Sequence, residues 1–258
     1  MDIKQTVREA IYLIGRSGNP TLNEETFEKS GYYNNQETMT IGGTVNKSFM
    51  LLALLIGAAV ISWVMFFNGY EVFPFMIGGA IGGFVLALII SFVPKAAPYL
   101  APIYAILEGF FLGALSAHYE YLYYGITLQA ALLTMCIFLG MLLAYKTGLI
   151  RATPGFKKGI IAATIGIALV YLFSMVLGLF GVTVPYLHDS TPIGIGISVV
   201  IIIIAALNFV LDFNFIEEGA HHGAPKYMEW YGSFGLLVTL VWLYIEIIRL
   251  LAKLANRD

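Results

Sequence analysis

The chain has 258 residues, 59% of them hydrophobic and only 12% charged, with a mean hydropathy of +0.82. Soluble domains carry about 25% charged residues, so this composition excludes a soluble globular protein. The 14 Lys and Arg nearly balance 16 Asp and Glu, which gives no footing to nucleic acid or a strongly acidic partner.

The chain opens with MDIKQTVREAIYLIGRSGNP, which carries Asp2, Lys4, Arg8, Glu9 and Arg16 and no central apolar block, so it does not read as a cleavable signal peptide. Ile3, Val7, Ile11 and Ile14 recur at helical spacing beside Lys4 and Arg8. That pattern suits a short helix in the membrane interface, and equally one packed on the cytoplasmic face of a bundle. Residues 1–46 are expected to form a cytoplasmic tail and residues 47–258 a transmembrane domain.

A spanning helix needs about 20 largely apolar residues. Seven stretches qualify, at 47–67, 73–93, 98–118, 127–146, 158–180, 192–214 and 232–252. The short alternating segments of a transmembrane β-barrel are not visible. The expected fold is therefore an all-α integral membrane protein, a bundle of seven transmembrane helices. Loops such as VPKAAP, TGLIRATPGFKK and FGVTVPYLHDSTP carry the Pro and Gly that mark helix ends. In MIGGAIGGF, Gly79 and Gly83 lie four residues apart without a lysine, which predicts close helix packing and not a phosphate cradle.

Lys and Arg are sorted unevenly. Lys4, Arg8, Arg16, Lys29 and Lys47 precede the first span, Lys95 follows the second, Lys146, Arg151, Lys157 and Lys158 follow the fourth, and Lys226 follows the sixth. The positive-inside rule then places the N-terminus in the cytoplasm. Arg249, Lys253 and Arg257 run against this, because seven crossings put them outside. The alternative is a re-entrant late segment, and seven crossings is the reading adopted here.

Ionisable side chains inside a span cost about 2.5–3.5 kcal/mol at its centre, and so default to a bundle interior or a water-filled cavity. Glu108 lies mid-span in YAILEGFFLGALSAH, with no Lys or Arg at comparable depth in another span. It reads as an ion-path or pH-sensing acid, or else as a protonated group bonded to a neighbouring carbonyl as helix glue. Asp212 lies in the last turns of the sixth span. Glu217 and Glu218 follow as a solvated helix end, and His221 and His222 show no metal-ligand spacing. Glu246 precedes Arg249 by three residues, the spacing of a local ion pair. Trp230, Tyr231, Trp242 and Tyr244 read as packing and interface residues. The single cysteine, Cys136, leaves no disulfide framework and no CxxC site. No GxSxG, phosphate loop or intramembrane catalytic pair is present, so the chain is not expected to be an enzyme or to hold a cofactor.

Three stretches together resemble the Bax inhibitor family, in its bacterial YccA-like branch: LEGFFLGALS, LDFNFIEEGAHHG and LLVTLVWLYIEIIRLLA. Their order follows that of the family's third, sixth and last helices, and RSGNPTL resembles the tail of the same branch. The resemblance implies a bundle with the last helix at its centre and a pH-sensitive calcium leak through it. It also implies a pair of aspartates, one each on helices six and seven, that share a proton. Asp212 matches the first. Thr239 stands where the second is expected, with Glu246 two turns further on, so a hydrogen bond to Asp212 is possible but shared charge is not.

Asp212 is then expected to gate a cation path, with Glu217 and Glu218 as its cation-attracting mouth. Calcium wants several oxygen ligands, so any site near Asp212 should be weak and hydrated. The expected function is a passive, pH-sensitive calcium leak of the bacterial inner membrane, whose partners are the lipid bilayer and the permeant ion. The alternative is a non-conducting regulator that binds a membrane protease or another membrane partner. A proton-coupled transporter would need a second buried acid.

Overall fold

The computed structural model describes residues 37–182, 184 and 189–256; the helix expected from Ile3 to Ile14, the RSGNPTL segment and Arg257 lie outside them. Seven helices among the described residues are long and apolar enough to cross a membrane. They are α1 Ile41–Phe67, α2 Phe73–Phe92, α3 Ala97–Leu122, α4 Ile126–Lys146, α5 Pro154–Leu179, α6 Pro192–His221 and α7 Met228–Ala255. The protein is a multi-pass, all-α membrane protein.

Local chemistry explains where the helices begin. Thr40, Thr153 and Thr191 cap α1, α5 and α6, each accepting through its hydroxyl from the amide three residues on, at 3.0, 3.3 and 3.2 Å. At Thr153 and Thr191 the next residue is proline, whose fixed φ and missing N–H suit the first helical position. Glu120, at the end of α3, accepts from Gly125 N at 2.6 Å and Thr127 N at 3.1 Å. It thereby satisfies amides at the start of α4 that have no partner within the helix.

Two boundaries differ from the apolar runs. Residues 41–46, expected in the tail, are helical, because the Thr40 cap starts α1 before its hydropathy rises. Helix α6 continues from 214 to His221, so Asp212 lies nine residues, roughly 14 Å, inside its end. It is not at the mouth, as a span ending at 214 would place it.

Small residues set the packing of the first three helices. A side chain at Gly109 or Gly113 of α3 would run into the backbone carbonyls of Leu55 and Ala59 on α1. On the other flank, a Cβ at Gly79 of α2 would lie 2.5 Å from Leu107 O, and one at Gly83 would lie 2.7 Å from Glu108 Oε1. The expected close packing through Gly79 and Gly83 is present. The Glu-Gly and Leu-Gly steps of LEGFFLGALS are the α3 half of the same arrangement.

Helix α7 occupies the centre, packed against α1, α3, α4 and α6. It starts beside the start of α1, where Lys47 pairs with Glu229. It ends beside the start of α6, where Lys253 Nζ donates to Gly194 O at 3.1 Å and Ser198 Oγ at 2.8 Å. It is one unbroken helix between these points, long and apolar enough to span a membrane.

Glycine packing gives a direct test. Gly113→Ala should lower the thermal unfolding midpoint in detergent, by the equivalent of about 1–3 kcal/mol of overpacking. Gly57→Ala meets nothing within 4 Å and should leave the midpoint unchanged or raise it, through alanine's helix propensity of about 1 kcal/mol over glycine.

Candidate functional site

The central helix carries Thr239, Glu246 and Lys253 at seven-residue intervals. Positions seven apart drift only ~20° around an α-helix, so all three share one face. Each meets an oxygen-bearing partner on a neighbouring helix. Thr239 Oγ1 donates to Asp212 Oδ2 at 2.7 Å. Tyr171 of α5 donates its hydroxyl to Glu246 Oε1 at 2.8 Å, with Arg249 Nη1 at 3.7 Å from the same oxygen. Lys253 is satisfied by Gly194 and Ser198 of α6.

Asp212 and Thr239 are thus brought together as the resemblance implied, a carboxylate and a neutral hydroxyl in the bundle. Beside them Gly235 leaves space: a Cβ there would meet only Asp212 Oδ1, at 3.9 Å. Glu246 is buried on the same helix face, two turns nearer the far end, and its partners are Tyr171 and Arg249. The Glu246–Arg249 pair expected from spacing is present, and Tyr171 is the addition that sequence spacing could not reveal.

Glu108 faces the bundle, as the cost of a lipid-facing carboxylate demands. It is buried between Gly83 of α2 and Tyr104, one turn back on α3. Among the described residues it shares no hydrogen bond with Asp212, Thr239 or Glu246. Glycine at 83 makes the room, so MIGGAIGGF serves both packing and the acid.

Glu217 and Glu218 are engaged at the end of α6 and do not form a bare acidic mouth. Tyr145 of α4 donates to Glu217, and His221 Nε2 lies 4.0 Å from its other oxygen. Lys157 of α5 donates to Glu218 Oε1 at 2.9 Å. Both acids line a groove of about 1030 Å³ between α1, α4, α6 and α7, together with Leu52, Phe138, Leu139, Leu237, Lys146 and Arg151. A smaller pocket of about 260 Å³ at the opposite end is lined by Tyr171, Ser190, Ser198, Glu246, Arg249 and Lys253.

No three His, Cys, Asp or Glu side chains among the described residues could close on a metal ion. A cation beside Asp212 would therefore meet one carboxylate, one hydroxyl and water. That is a poor match for the six to eight oxygens calcium takes when held tightly.

The sequence profile of the family described as Bax inhibitor 1 like matches residues 19–256. The chain belongs to that family. No match was found among curated proteins. In this Bax inhibitor 1 like bundle the Glu-Gly pair of α3, the Asp of α6 and the aliphatic-aromatic α7 each have a packing or hydrogen-bonding reason to stand where they do.

One polar centre escaped the sequence reading. Glu229, in the first turn of α7, is fully buried. It accepts from Thr40 N at 2.9 Å and Thr40 Oγ1 at 2.8 Å, pairs with Lys47, and has Lys226 Nζ at 3.3 Å. Its carboxylate rests on Gly43, where any side chain would collide with it. The only signal in the sequence was an acid in a helix's first turn, which is ordinary as dipole complement. Lys226 is local, but the partners on the α1 side, Thr40 and Lys47, lie more than 180 positions away.

This clamp joins the starts of α1 and α7 and should be structural. Glu229→Gln leaves the Lys47 ammonium without its counter-charge and should cost about 3 kcal/mol, the scale for breaking a buried pair. Adding Lys47→Met should return part of that loss, measured as a coupling in a double-mutant cycle.

Proposed function

We propose that the protein is a passive, pH-sensitive leak for Ca²⁺ or a similar cation, seated in the bacterial inner membrane, and that it does no chemistry of its own. The observation that carries this reading is the Asp212–Thr239 pair. A lone carboxylate is set in the bundle against the central helix, with a neutral hydroxyl as its partner. A carboxyl in such a place can change charge with a single proton, and the change alters both the attraction for a cation and the α6–α7 contact. One weak oxygen cluster suits passage better than storage.

The cytoplasmic N-terminus is supported by Lys95, Lys146, Arg151, Lys157 and Lys158, which stand at the end of the bundle where α1 begins. The apparent exceptions at the other end have local work: Arg249 faces Glu246, and Lys253 is folded onto the start of α6. Neither is a free loop charge.

A regulatory, non-conducting role has one specific observation in its favour. The large groove between α1 and α4 is wide and apolar enough to take part of a membrane partner, such as a membrane protease. The two readings separate on flux from liposomes loaded with a calcium dye. Release no faster than from protein-free vesicles, at both acidic and neutral pH, selects the regulator.

For the leak, the pH profile reports the pair. Asn at 212 has the shape of the protonated acid and never ionises. Asp212→Asn should therefore show, at every pH, the flux that the natural protein shows when acid. Thr239→Asp should turn one titration into the broad two-step profile of coupled carboxylates. Glu246→Gln should keep the natural pH response, because Glu246 does not partner Asp212. Glu108→Gln separates a pH sensor from helix glue: an unchanged profile in folded protein leaves Glu108 only a packing role. A natural profile in Asp212→Asn would remove the gate assignment.

A further inference from the structure

Helix α5 is joined to the bundle in an unusual way. It has no buried residue, and it packs on α6. Lys157, Thr164 and Tyr171, again seven residues apart and so on one face, make polar contacts with its neighbours. Lys157 reaches Glu218. Thr164 exchanges hydrogen bonds with Asn208, at 2.9 and 3.3 Å. Tyr171 crosses to Glu246 of α7.

Helix α6 presents a matching face. Thr239 meets Asp212, and Lys253 meets Ser198, so fourteen residues of α7 run antiparallel to fourteen of α6. This register sets Glu246 opposite Ala205, a small buried residue. Within a helix otherwise rich in isoleucine, Gly194, Ser198, Ala205, Asn208 and Asp212 fall on one side. Oxygen-bearing and small side chains therefore recur along the junction of α5, α6 and α7 from Glu218 to Ser198, with the buried Ile201 on the same side between Ser198 and Ala205. At the far end the junction opens into the pocket of about 260 Å³ that reaches Glu246, room for several waters at ~30 Å³ each.

We propose that the permeating cation follows this seam, past Asn208, Asp212 and Glu246, and that α5 is the element that opens it. The proposal rests on the leak reading and adds the route and the moving part. No α5 side chain is fully buried, and its inner apolar residues Phe156, Ile160 and Ile167 are only half-buried, so the polar contacts at three levels act as its latches. Parting them exposes the oxygens of Glu218, Asn208 and Glu246 to a single water-filled groove without disturbing the glycine-packed α1, α2 and α3. Arg249 remains beside Glu246, so the route attracts cations only weakly, which suits a leak.

The test uses the full chain in liposomes, with Cys136→Ala to remove the exposed native thiol. Thr164→Cys with Asn208→Cys, bridged by a short bis-methanethiosulfonate that forms a disulfide with each thiol and releases two sulfinates, ties α5 to α6. Calcium release should fall to the protein-free rate and return when a reducible bridge is cleaved. Release that persists through a verified bridge overturns the seam while leaving the leak itself standing. A separate measurement needs no flux: single cysteines at Thr164, Asn208 and Ser198 should react with a charged, membrane-impermeant methanethiosulfonate faster than Leu169→Cys on the exposed opposite side of α5. If the unbridged protein does not release calcium, the leak reading fails, and equal labelling of seam and control positions then overturns the seam as well.

Discussion

Hydrocarbon offers no hydrogen bonds, so every polar side chain carried into the membrane has to find its partner within the protein. The bundle meets this demand chiefly on α7. Glu229, Ser233, Thr239, Tyr244, Glu246 and Lys253 each bond to another helix, in turn α1, α1, α6, α3, α5 and α6. A helix with partners on so many sides can only be central. Its position follows from the number of polar groups it must satisfy as much as from its apolar surface.

Packing divides the bundle into a tighter and a looser part. Where α1, α2 and α3 meet, glycines bring backbone against backbone, so dispersion contacts accumulate where a hydrophobic driving force between helices is missing. Among the described residues α1 and α3 share no comparable polar ladder. On the other side α5 is held at intervals by side chains across a wider separation. Glycine contact fixes a geometry that tolerates no added methyl, whereas hydrogen bonds at long side-chain tips can be exchanged for water. Any movement that leaves the core intact is expected on the α5 side.

Hydropathy and punctuation made the seven spans legible, with the largest boundary errors at the start of α1 and the end of α6, because a run of twenty apolar residues has few other uses. Gly79 and Gly83 were readable for a similar reason: glycine costs about 1 kcal/mol in a helix and stays where backbones must approach. The Asp212–Thr239 pairing came only through family resemblance, since nothing in either local stretch names the other. Glu229 and the Tyr171–Glu246 bond were not legible at all. Each depends on a contact across 75 or more positions, and neither partner is unusual in its own surroundings. The end of α6 was misplaced because Glu217 and Glu218 lower the hydropathy of a helix that Tyr145 and Lys157 hold together from outside.

The charge pattern along the junction of α5, α6 and α7 bears on why a leak would need a gate. Acids at Glu218 and Glu246 face bases at Lys157 and Arg249, and Asp212 alone has only a neutral donor. An ion pair gives a passing cation little, because its negative end is already occupied. A carboxylate beside a threonine is different: on the proposed route its negative charge is one that no neighbouring base already occupies. A second aspartate at 239 would spread the titration over two coupled steps, and threonine concentrates it in one. Threonine at 239 thus keeps the contact between α6 and α7 while leaving a single carboxyl there.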